Sequence, residues 1–270
     1  MRKLYNVICE ELLSMYGERI VLLRHDVDNV YAIYGGGNRA KVALKKLLNY
    51  ALLGLACADY RINYLIPRGF DSVFFTLDLE KTYDCKATWF FRAITVPPRR
   101  VVLKLKLAGH EIAYHSDRNW SYKLFLEDLR LVEKATQTSI RGFTKHGLSP
   151  VRSGGAYPIK IMMLYGIKAR LKYFAQGEGY PHWRAPRRIS GLWIFGHHIT
   201  LKKTPLRRIR EYITSEPLPL VLIHPEDLVI PGETVKLEYI ASKARCTSVW
   251  DVVEKLERIW IEHAEDDAPK

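Results

Sequence analysis

The sequence has no pair of cysteines with the spacing of a zinc-binding or redox motif. Its 270 residues include only four cysteines, which lie far apart and have no histidine nearby at zinc-finger spacing. This argues against a zinc finger and against a redox-active cysteine pair. We expect all four to be ordinary buried thiols: Cys9, Cys57, Cys85 and Cys246.

A hydrophobic run long enough to span a bilayer is also missing. The most apolar stretch, residues 47–58, is too short and is flanked by charged residues. The first residues are basic and then amphipathic, and they include Glu10 and Glu11, which favours a first helix over a signal peptide. We therefore expect a cytoplasmic protein. Because no segment resembles a linker, residues 1–270 are predicted to form a single domain.

Positive charge, in contrast, is in excess. The sequence has 42 Lys and Arg against 29 Asp and Glu, a formal net charge of +13. Such a balance favours anionic partners. No base-stacking or groove-reading motif accompanies it, so we predict a solvated, ion-paired surface and no specific nucleic-acid partner.

Short apolar strands alternate with amphipathic helices along most of the chain. This alternation is typical of a parallel sheet covered by helices, so the predicted fold class is α/β. Between residues 150 and 200 the pattern is weak, apart from a helix at 159–165 and a strand at 192–195. The strands predicted elsewhere are at 21–28, 86–92, 110–115, 139–143 and 219–225, and the helices at 41–57, 71–82, 101–107, 122–135, 206–213 and 249–263.

The stretch VLLRHDVD, residues 21–28, is an apolar run that ends in charged side chains. Buried strands have this pattern where their last residues open into a site. Because strand side chains alternate between faces, Asp26 and Asp28 point to one side and His25 to the other. Two converging carboxylates recruit a cation or raise the pKa of one of them. A structural Asp pair held by Arg24 or by loop amides is the alternative.

Other polar residues follow the ends of later predicted strands. Ligands of parallel βα folds gather at the carboxyl ends of the strands. Two carboxylates and three imidazoles at successive strand ends favour a metal site or an acid–base site. These residues are Asp26, Asp28, His115, His146 and His224.

Four segments resemble, in the same order, the motifs of the polysaccharide deacetylase family (NodB-homology domain, carbohydrate esterase family 4). They are RHDVD at 24–28, KATWFF at 86–91, GHEIAYHS at 109–116 and LIH at 222–224, and the match extends from about residue 21 to residue 227. The resemblance implies a distorted (β/α) barrel of about seven parallel strands, with residues 29–69 as an insertion. It also implies one divalent metal ion, most often zinc, and the removal of an N-acetyl group from an amino sugar.

The resemblance further assigns a role to four residues. Asp26 corresponds to the general base and His224 to the general acid. Asp28 and His115 correspond to metal ligands. In that scheme the metal polarises the acyl carbonyl and lowers the pKa of a bound water, the base takes the proton of the water, and the acid protonates the departing amine.

This sequence departs from the family motif at one ligand. Asn119 stands where the second His of His-Ser/Thr-x-x-His would be, and an amide is a weak zinc ligand. The third ligand therefore stays open between Asn119, Asp117 and His146. A separate set of residues is predicted to bind substrate or, for the arginines, to orient Asp26: Arg141, His146, Trp183 and Arg184.

The leading functional hypothesis is a metal-dependent hydrolase that acts on an N-acetylated sugar or glycan, which can be phosphate-linked given the basic surface. A metal-free carbohydrate-binding or scaffold protein on the same barrel is the alternative, supported by Asn119. Hydrolysis of another non-peptide C–N bond is a third hypothesis. The oligomeric state stays open, with a homo-oligomer as one option.

Overall fold

A single curled sheet organises the chain in the computed structural model, which describes residues 2–30, 47–48, 51–52, 54–65, 69–118, 121–146, 157–175, 185–196 and 198–266. The strand order is β6-β7-β5-β4-β3-β2-β1-β9-β8, and β10 pairs with the first residues of β1. Only β6 runs antiparallel to its neighbour. The strands are β1 (Ile20–Val27), β2 (Thr88–Phe91), β3 (Glu111–Ser116), β4 (Gly142–Lys145), β5 (Tyr173–Ala175), β6 (Arg187–Ile189), β7 (Leu192–Phe195), β8 (Ile199–Thr200), β9 (Leu220–Ile223) and β10 (Arg245–Thr247).

Helices connect most of the parallel strands and cover the sheet, as the alternating pattern predicted. A 3₁₀ turn at Ala93–Thr95 follows β2. The helices in the described part of the chain are α1 (Arg2–Tyr16), α2 (Ile62–Leu65), α3 (Asp71–Thr82), α4 (Arg99–Leu107), α5 (Tyr122–Thr136), α6 (Tyr157–Lys168), α7 (Leu206–Ser215), α8 (Pro225–Leu228), α9 (Thr234–Lys243) and α10 (Val249–Asp266). No described helix is both long enough and apolar enough to cross a membrane.

The core has two parts, and β1 contributes to both because its side chains alternate. Val21 and Leu23 belong to the larger cluster, which also includes buried residues of the outer helices. Ile20 and Leu22 belong to a second cluster on the concave side of the sheet, together with buried residues of α1 and α10. The interior of the curled sheet is therefore filled at the amino ends of the strands. Polar side chains occupy the same face at the carboxyl ends.

The predicted α/β class with a mainly parallel barrel-like sheet is confirmed, but the number of strands differs from the expected seven or so. Ten strands are described, and the end strands β6 and β8 do not pair with each other within the described residues. The additional strands β5, β6, β8 and β10 have two or three residues each, which is too short to show a hydrophobic period. The β6–β7 hairpin turns through Ser190 and Gly191, both at positive φ (49° and 81°), as a two-residue turn that follows the strand twist requires.

The prediction of four buried thiols is wrong for one cysteine. Cys57 is exposed, whereas the other three are buried. About half of the predicted insertion at 29–69 and of the predicted helix at 41–57 lies outside the described residues, and the described residues of 47–57 are helical. A described part of the insertion packs on the segment after β2, where the Asn63 side chain donates to the Ile94 carbonyl at 2.6 Å and the Tyr64 hydroxyl donates to the Val96 carbonyl at 3.2 Å.

At the amino ends of the strands, Glu111 is the first residue of β3, and its partly buried carboxyl group contacts the start of α10. It accepts hydrogen bonds from the Thr88 hydroxyl (2.7 Å), the Tyr173 hydroxyl (2.7 Å) and the Trp250 backbone amide (3.0 Å). Burial raises the pKa of Glu111 to about 7, although these three donors act in the opposite direction. Glu111 thus joins β2, β3, β5 and α10. These contacts lie at the amino ends of the strands, opposite the polar carboxyl ends.

We expect Glu111→Gln to remove a pH dependence of folding stability. The pKa of the folded state is above the ordinary value of 4.5, so protonation stabilises the fold fully below about pH 4.5, and this contribution is lost as the pH rises through about 7. The loss amounts to about 3 kcal/mol at most for a shift of this size. Urea unfolding at pH 5 and pH 8 tests this. If the free energies of unfolding of wild type and variant differ by the same amount at both pH values, the prediction is wrong.

Candidate functional site

The polar end of β1 presents its charged side chains to opposite faces of the sheet. Arg24 and Asp26 continue the concave face and are buried, with 2% and 3% of their surface exposed. His25 points to the helical layer, where its Nε2 lies 2.7 Å from Oε1 of the buried Glu80. The predicted alternation of Asp26 and His25 is therefore what the fold adopts. A slip of one residue would exchange the two faces.

Arg24 holds Asp26 by a bidentate ion pair. Its Nε donates to Asp26 Oδ1 at 2.7 Å and its Nη2 donates to Oδ2, while Nη1 donates to the Ala175 carbonyl. Burial alone would raise the pKa of Asp26, but the charge and the hydrogen bonds of Arg24 act against burial, and this pKa is lowered. Asp26 is thus an ionised carboxylate with a fixed orientation.

Three side chains from three different strand ends form a tight triangle of ligand atoms. Asp28 Oδ1 lies 2.9 Å from His115 Nε2 and 2.8 Å from His146 Nδ1, and the two imidazole nitrogens are 3.1 Å apart. Among the described residues this is the group of three potential ligands that could hold a metal ion. Asp28 follows β1, His115 is on β3 and His146 follows β4, so the convergence depends on the parallel sheet.

The donor set of this triangle fits a divalent cation. Each hydrogen bond joins only two atoms, and the carboxylate oxygen can accept one from each imidazole nitrogen. The contact between the two nitrogens is then left without a hydrogen bond. A cation, in contrast, can accept a lone pair from all three atoms. Burial lowers the pKa of His115, which favours the neutral, ligating imidazole. The pKa of Asp28 lies well below its usual value because hydrogen bonds from His115, His146 and His224 outweigh the effect of burial. Two neutral imidazoles and a carboxylate are typical zinc ligands.

Of the two third-ligand candidates that the structure describes, His146 and Asp117, His146 has an atom in the triangle. Asp117 lies farther out, with its Oδ1 4.0 Å from His146 Nε2, the nitrogen that faces away from the triangle. Asp117 is instead paired with Arg92, whose Nε donates to Asp117 Oδ2 at 2.8 Å. Asn119 is outside the described residues.

His224 closes the site from the end of β9. Its Nε2 lies 3.4 Å from Asp28 Oδ2, and its Nδ1 lies 3.4 Å from Asp227 Oδ2. Asp227 in turn accepts a hydrogen bond from Lys202 Nζ at 2.8 Å. Burial tends to lower the pKa of His224, but Asp227 and Asp28 outweigh it and raise that pKa to about 11. His224 is therefore a protonated imidazolium with two carboxylate neighbours.

Of the two arginines predicted to orient Asp26, only Arg141 is described, and it does not lie beside Asp26. Arg141 precedes β4, at the amino end of the sheet, where its guanidinium stacks on the Trp250 ring with 4.3 Å to the ring centroid. Arg24 pairs with Asp26 instead. Trp183 and Arg184 lie outside the described residues.

The sequence also held signals for the roles of Arg24 and Asp227, although Arg24 entered the prediction only through the alternative of a structural Asp pair, and its ion pair with Asp26 agrees with that part of the alternative. Arg24 precedes Asp26 by two residues on a strand, which puts both side chains on one face. Asp227 follows His224 by three residues in the first turn of α8, close enough to approach the ring. For Arg92, which follows β2, a charged residue directly after an apolar strand was the available signal.

The site is open to solvent on one side. The side chains of Asp28, His146 and His224 are each about a quarter exposed, at 23%, 27% and 24%, whereas Asp26 and His115 lie below them. Asp117 also lines an adjoining cavity of about 470 Å³. Such a volume suits a small organic ligand.

No family model matches the chain, and no match is found among curated proteins. Solved structures do match. A protein from Mycobacterium smegmatis assigned to the polysaccharide deacetylases is 14% identical, with a TM-score of 0.55 over 93% of this chain and 92% of that one. A CE4 family pseudoenzyme from Bacillus anthracis is 15% identical (TM-score 0.48, 88% of this chain and 66% of that one), and a peptidoglycan deacetylase from Bacillus subtilis is 12% identical (TM-score 0.45, 93% and 98%). The first of these shows that the fold of this chain is the polysaccharide deacetylase fold.

Proposed function

We propose that this protein is a metal-dependent hydrolase that removes an N-acetyl group from an amino sugar or related carbohydrate. The observation that carries the proposal is the triangle formed by Asp28, His115 and His146, with an ionised carboxylate and an imidazolium on either side of it. The family resemblance gives the same carboxylate, Asp26, the role of base and gives the imidazolium, His224, the role of acid. These two roles need opposite protonation states, and the electrostatics of the site favour both.

Asp28, His115 and His146 would hold the metal ion, for which zinc is our first choice because two imidazoles and a carboxylate are among its usual ligands. When bound, a divalent metal supplies Lewis acidity toward the acyl carbonyl and toward water. Asp26, whose carboxylate is oriented by the bidentate contact with Arg24, accepts the proton of the attacking water. His224 donates the proton of Nε2 to the departing amine nitrogen, while Asp227 beside Nδ1 keeps the ring oriented.

A metal-free binding protein is the second candidate, since Asn119 stands where the family motif has its second His. In such a protein we would expect an arginine to neutralise Asp28. The guanidinium groups near this residue go elsewhere: Arg24 pairs with Asp26, and Arg92 donates to the backbone carbonyl of Asp28 at 2.8 Å. The Asp28 carboxylate contacts imidazoles instead, which favours the metal-dependent hydrolase.

The nature of the substrate is the least constrained part of the proposal. The cavity beside Asp117 has room for a sugar unit attached to the acylated one. The net charge of +13 suits a phosphate-linked sugar. Hydrolysis of another non-peptide C–N bond would use the same groups, so only a substrate screen separates it from deacetylation.

The test is acetate release from a panel of N-acetylated amino sugars, free and phosphate-linked. The protein is stripped with a chelator and reloaded with zinc, cobalt or manganese. We expect the loaded wild type to release acetate and the stripped protein to regain this activity on reloading. Asp28→Ala, which removes the carboxylate of the triangle, should neither bind metal nor release acetate. Loaded wild-type protein that is inactive on the whole panel, and that also fails to hydrolyse a separate set of cyclic amides, would favour the binding protein.

A further inference from the structure

We propose that Arg92 and Asp117 form a clamp that positions His146 as the third metal ligand, in place of the histidine that Asn119 replaces in the family motif. The inference rests on the proposed metal site, and it concerns residues that do not touch the metal themselves. It explains how a histidine from β4 can supply a ligand that the family takes from the segment after β3.

Arg92 connects the ends of three adjacent parallel strands. It is 7% exposed and follows β2. Its Nη1 donates to the Asp28 carbonyl, after β1, and its Nε and Nη2 donate to Asp117 Oδ2, after β3. All three guanidinium nitrogens are therefore used, each toward a segment that carries a residue of the site. A lysine has a single nitrogen and could not replace these contacts together.

A second set of contacts fixes the backbone of Arg92. Its amide donates to Thr95 Oγ1 at 3.0 Å, and the Thr95 hydroxyl donates to the Val27 carbonyl at 2.7 Å. The 3₁₀ turn after β2 is thus attached to the last residue of β1. Arg92 is therefore fixed both at its backbone and at its guanidinium, which is the condition for it to position another side chain.

Asp117 presents its other oxygen to His146. When Nδ1 of His146 ligates a metal ion, the ring proton is on Nε2, and Asp117 Oδ1 lies 4.0 Å from that nitrogen. This distance is too long for a hydrogen bond, but a carboxylate there favours an N–H dipole directed toward it. Carboxylates in this outer position select the tautomer of a ligating histidine and make it more basic. The backbone amide of His146 is held independently by the Ser116 carbonyl at 2.7 Å.

We expect Asp117→Asn to weaken zinc binding by about 10–100-fold, the usual effect of losing an outer partner of a metal ligand. Arg92→Lys should weaken it in the same direction. The measurement is competition with a chromophoric chelator, together with the visible spectrum of the cobalt-loaded protein, which reports ligand geometry independently of activity. The matched control is Arg118→Gln, which breaks the neighbouring contact between Arg118 and Asp128 and should leave the affinity within about twofold of wild type.

A double variant separates positioning from a general structural effect. If Asp117 acts through His146, then Asp117→Asn should cause no further loss of affinity in a protein that already carries His146→Ala. An additive loss, or an affinity of Asp117→Asn equal to that of the control, would overturn the clamp. If Arg92→Lys fails to fold, the Asp117 variants decide alone. Absence of metal binding by the wild type would refute the proposed function as well, whereas tight binding that Asp117→Asn leaves unchanged would refute only the clamp.

Discussion

The variant His146→Ala is expected to lose metal affinity by well over 100-fold, and Asn119→Ala is expected to keep it. Loss of a ligand should exceed the roughly 100-fold upper range for loss of an outer partner. His146 Nδ1 lies within 3.1 Å of both other ligand atoms, so its removal leaves only one carboxylate oxygen and one imidazole. Two protein ligands are fewer than the three that catalytic zinc sites generally use.

The comparison of these two variants distinguishes the third ligand predicted by the structure from the one predicted by the family motif. The motif makes position 119 the site of the third ligand, whereas the contacts among the described residues favour position 146. Equilibrium dialysis with zinc, followed by metal analysis, measures the affinity of both variants under the same conditions. The opposite pattern, with metal lost from Asn119→Ala and kept by His146→Ala, would show that the triangle is not the binding site.

The variant Asp26→Asn is expected to lower kcat/KM by about 10²–10⁴-fold without loss of metal. This is the usual contribution of a general base. Asp26 is not one of the three ligand atoms of the triangle: its Oδ2 lies 3.7 Å from His115 Nε2, farther than Asp28 Oδ1. The asparagine has the same shape but cannot accept the proton. Activity with saturating zinc and the metal content of the same sample are the two measurements.

A loss of stability accompanies this substitution and must be separated from the loss of catalysis. Removing one partner of a buried ion pair costs about 3–5 kcal/mol, here because the Arg24 charge is left unpaired. The matched control is Glu257→Gln, which breaks the contact of Glu257 with Arg188 and Trp193 on the β6–β7 hairpin. We expect the control to unfold at a lower urea concentration and to keep its kcat/KM. If the Asp26→Asn protein is folded and metal-loaded and has the same kcat/KM as this control, Asp26 is not the base.

Several parts of the site could be predicted because they depend on local sequence. The alternation of side chains along β1 puts Asp26 and Asp28 on one face and His25 on the other, whatever the neighbouring strands are. His115 and His224 end apolar runs, and strand ends are where parallel folds collect polar groups. The chemical roles of these residues still stand as predictions, and the two experiments above test the role of Asp26 and the identity of the third ligand.

Other parts depend on which strands are neighbours, and the sequence does not specify that. His146 meets His115 because β4 pairs with β3 in the register that places His115 opposite Thr144. Asp117, two residues after His115, is much closer in sequence, yet its side chain turns toward Arg92. A choice among Asp117, Asn119 and His146 requires distances between strand ends, which composition and periodicity do not contain.

The sequence by itself determined the α/β class, the concave face of β1 and the set of polar residues at the strand ends, because side-chain alternation and hydrophobic periodicity are local properties of the chain. The tertiary structure decided which histidine joins Asp28 and His115, which arginine pairs with Asp26 and how the short strands extend the sheet. These outcomes depend on strand register and on contacts between residues far apart in the chain, such as Arg24 with Ala175 and Arg92 with Asp28. Such contacts form only when the packed sheet brings the segments together, and the free energy that selects them comes from burial of the whole core.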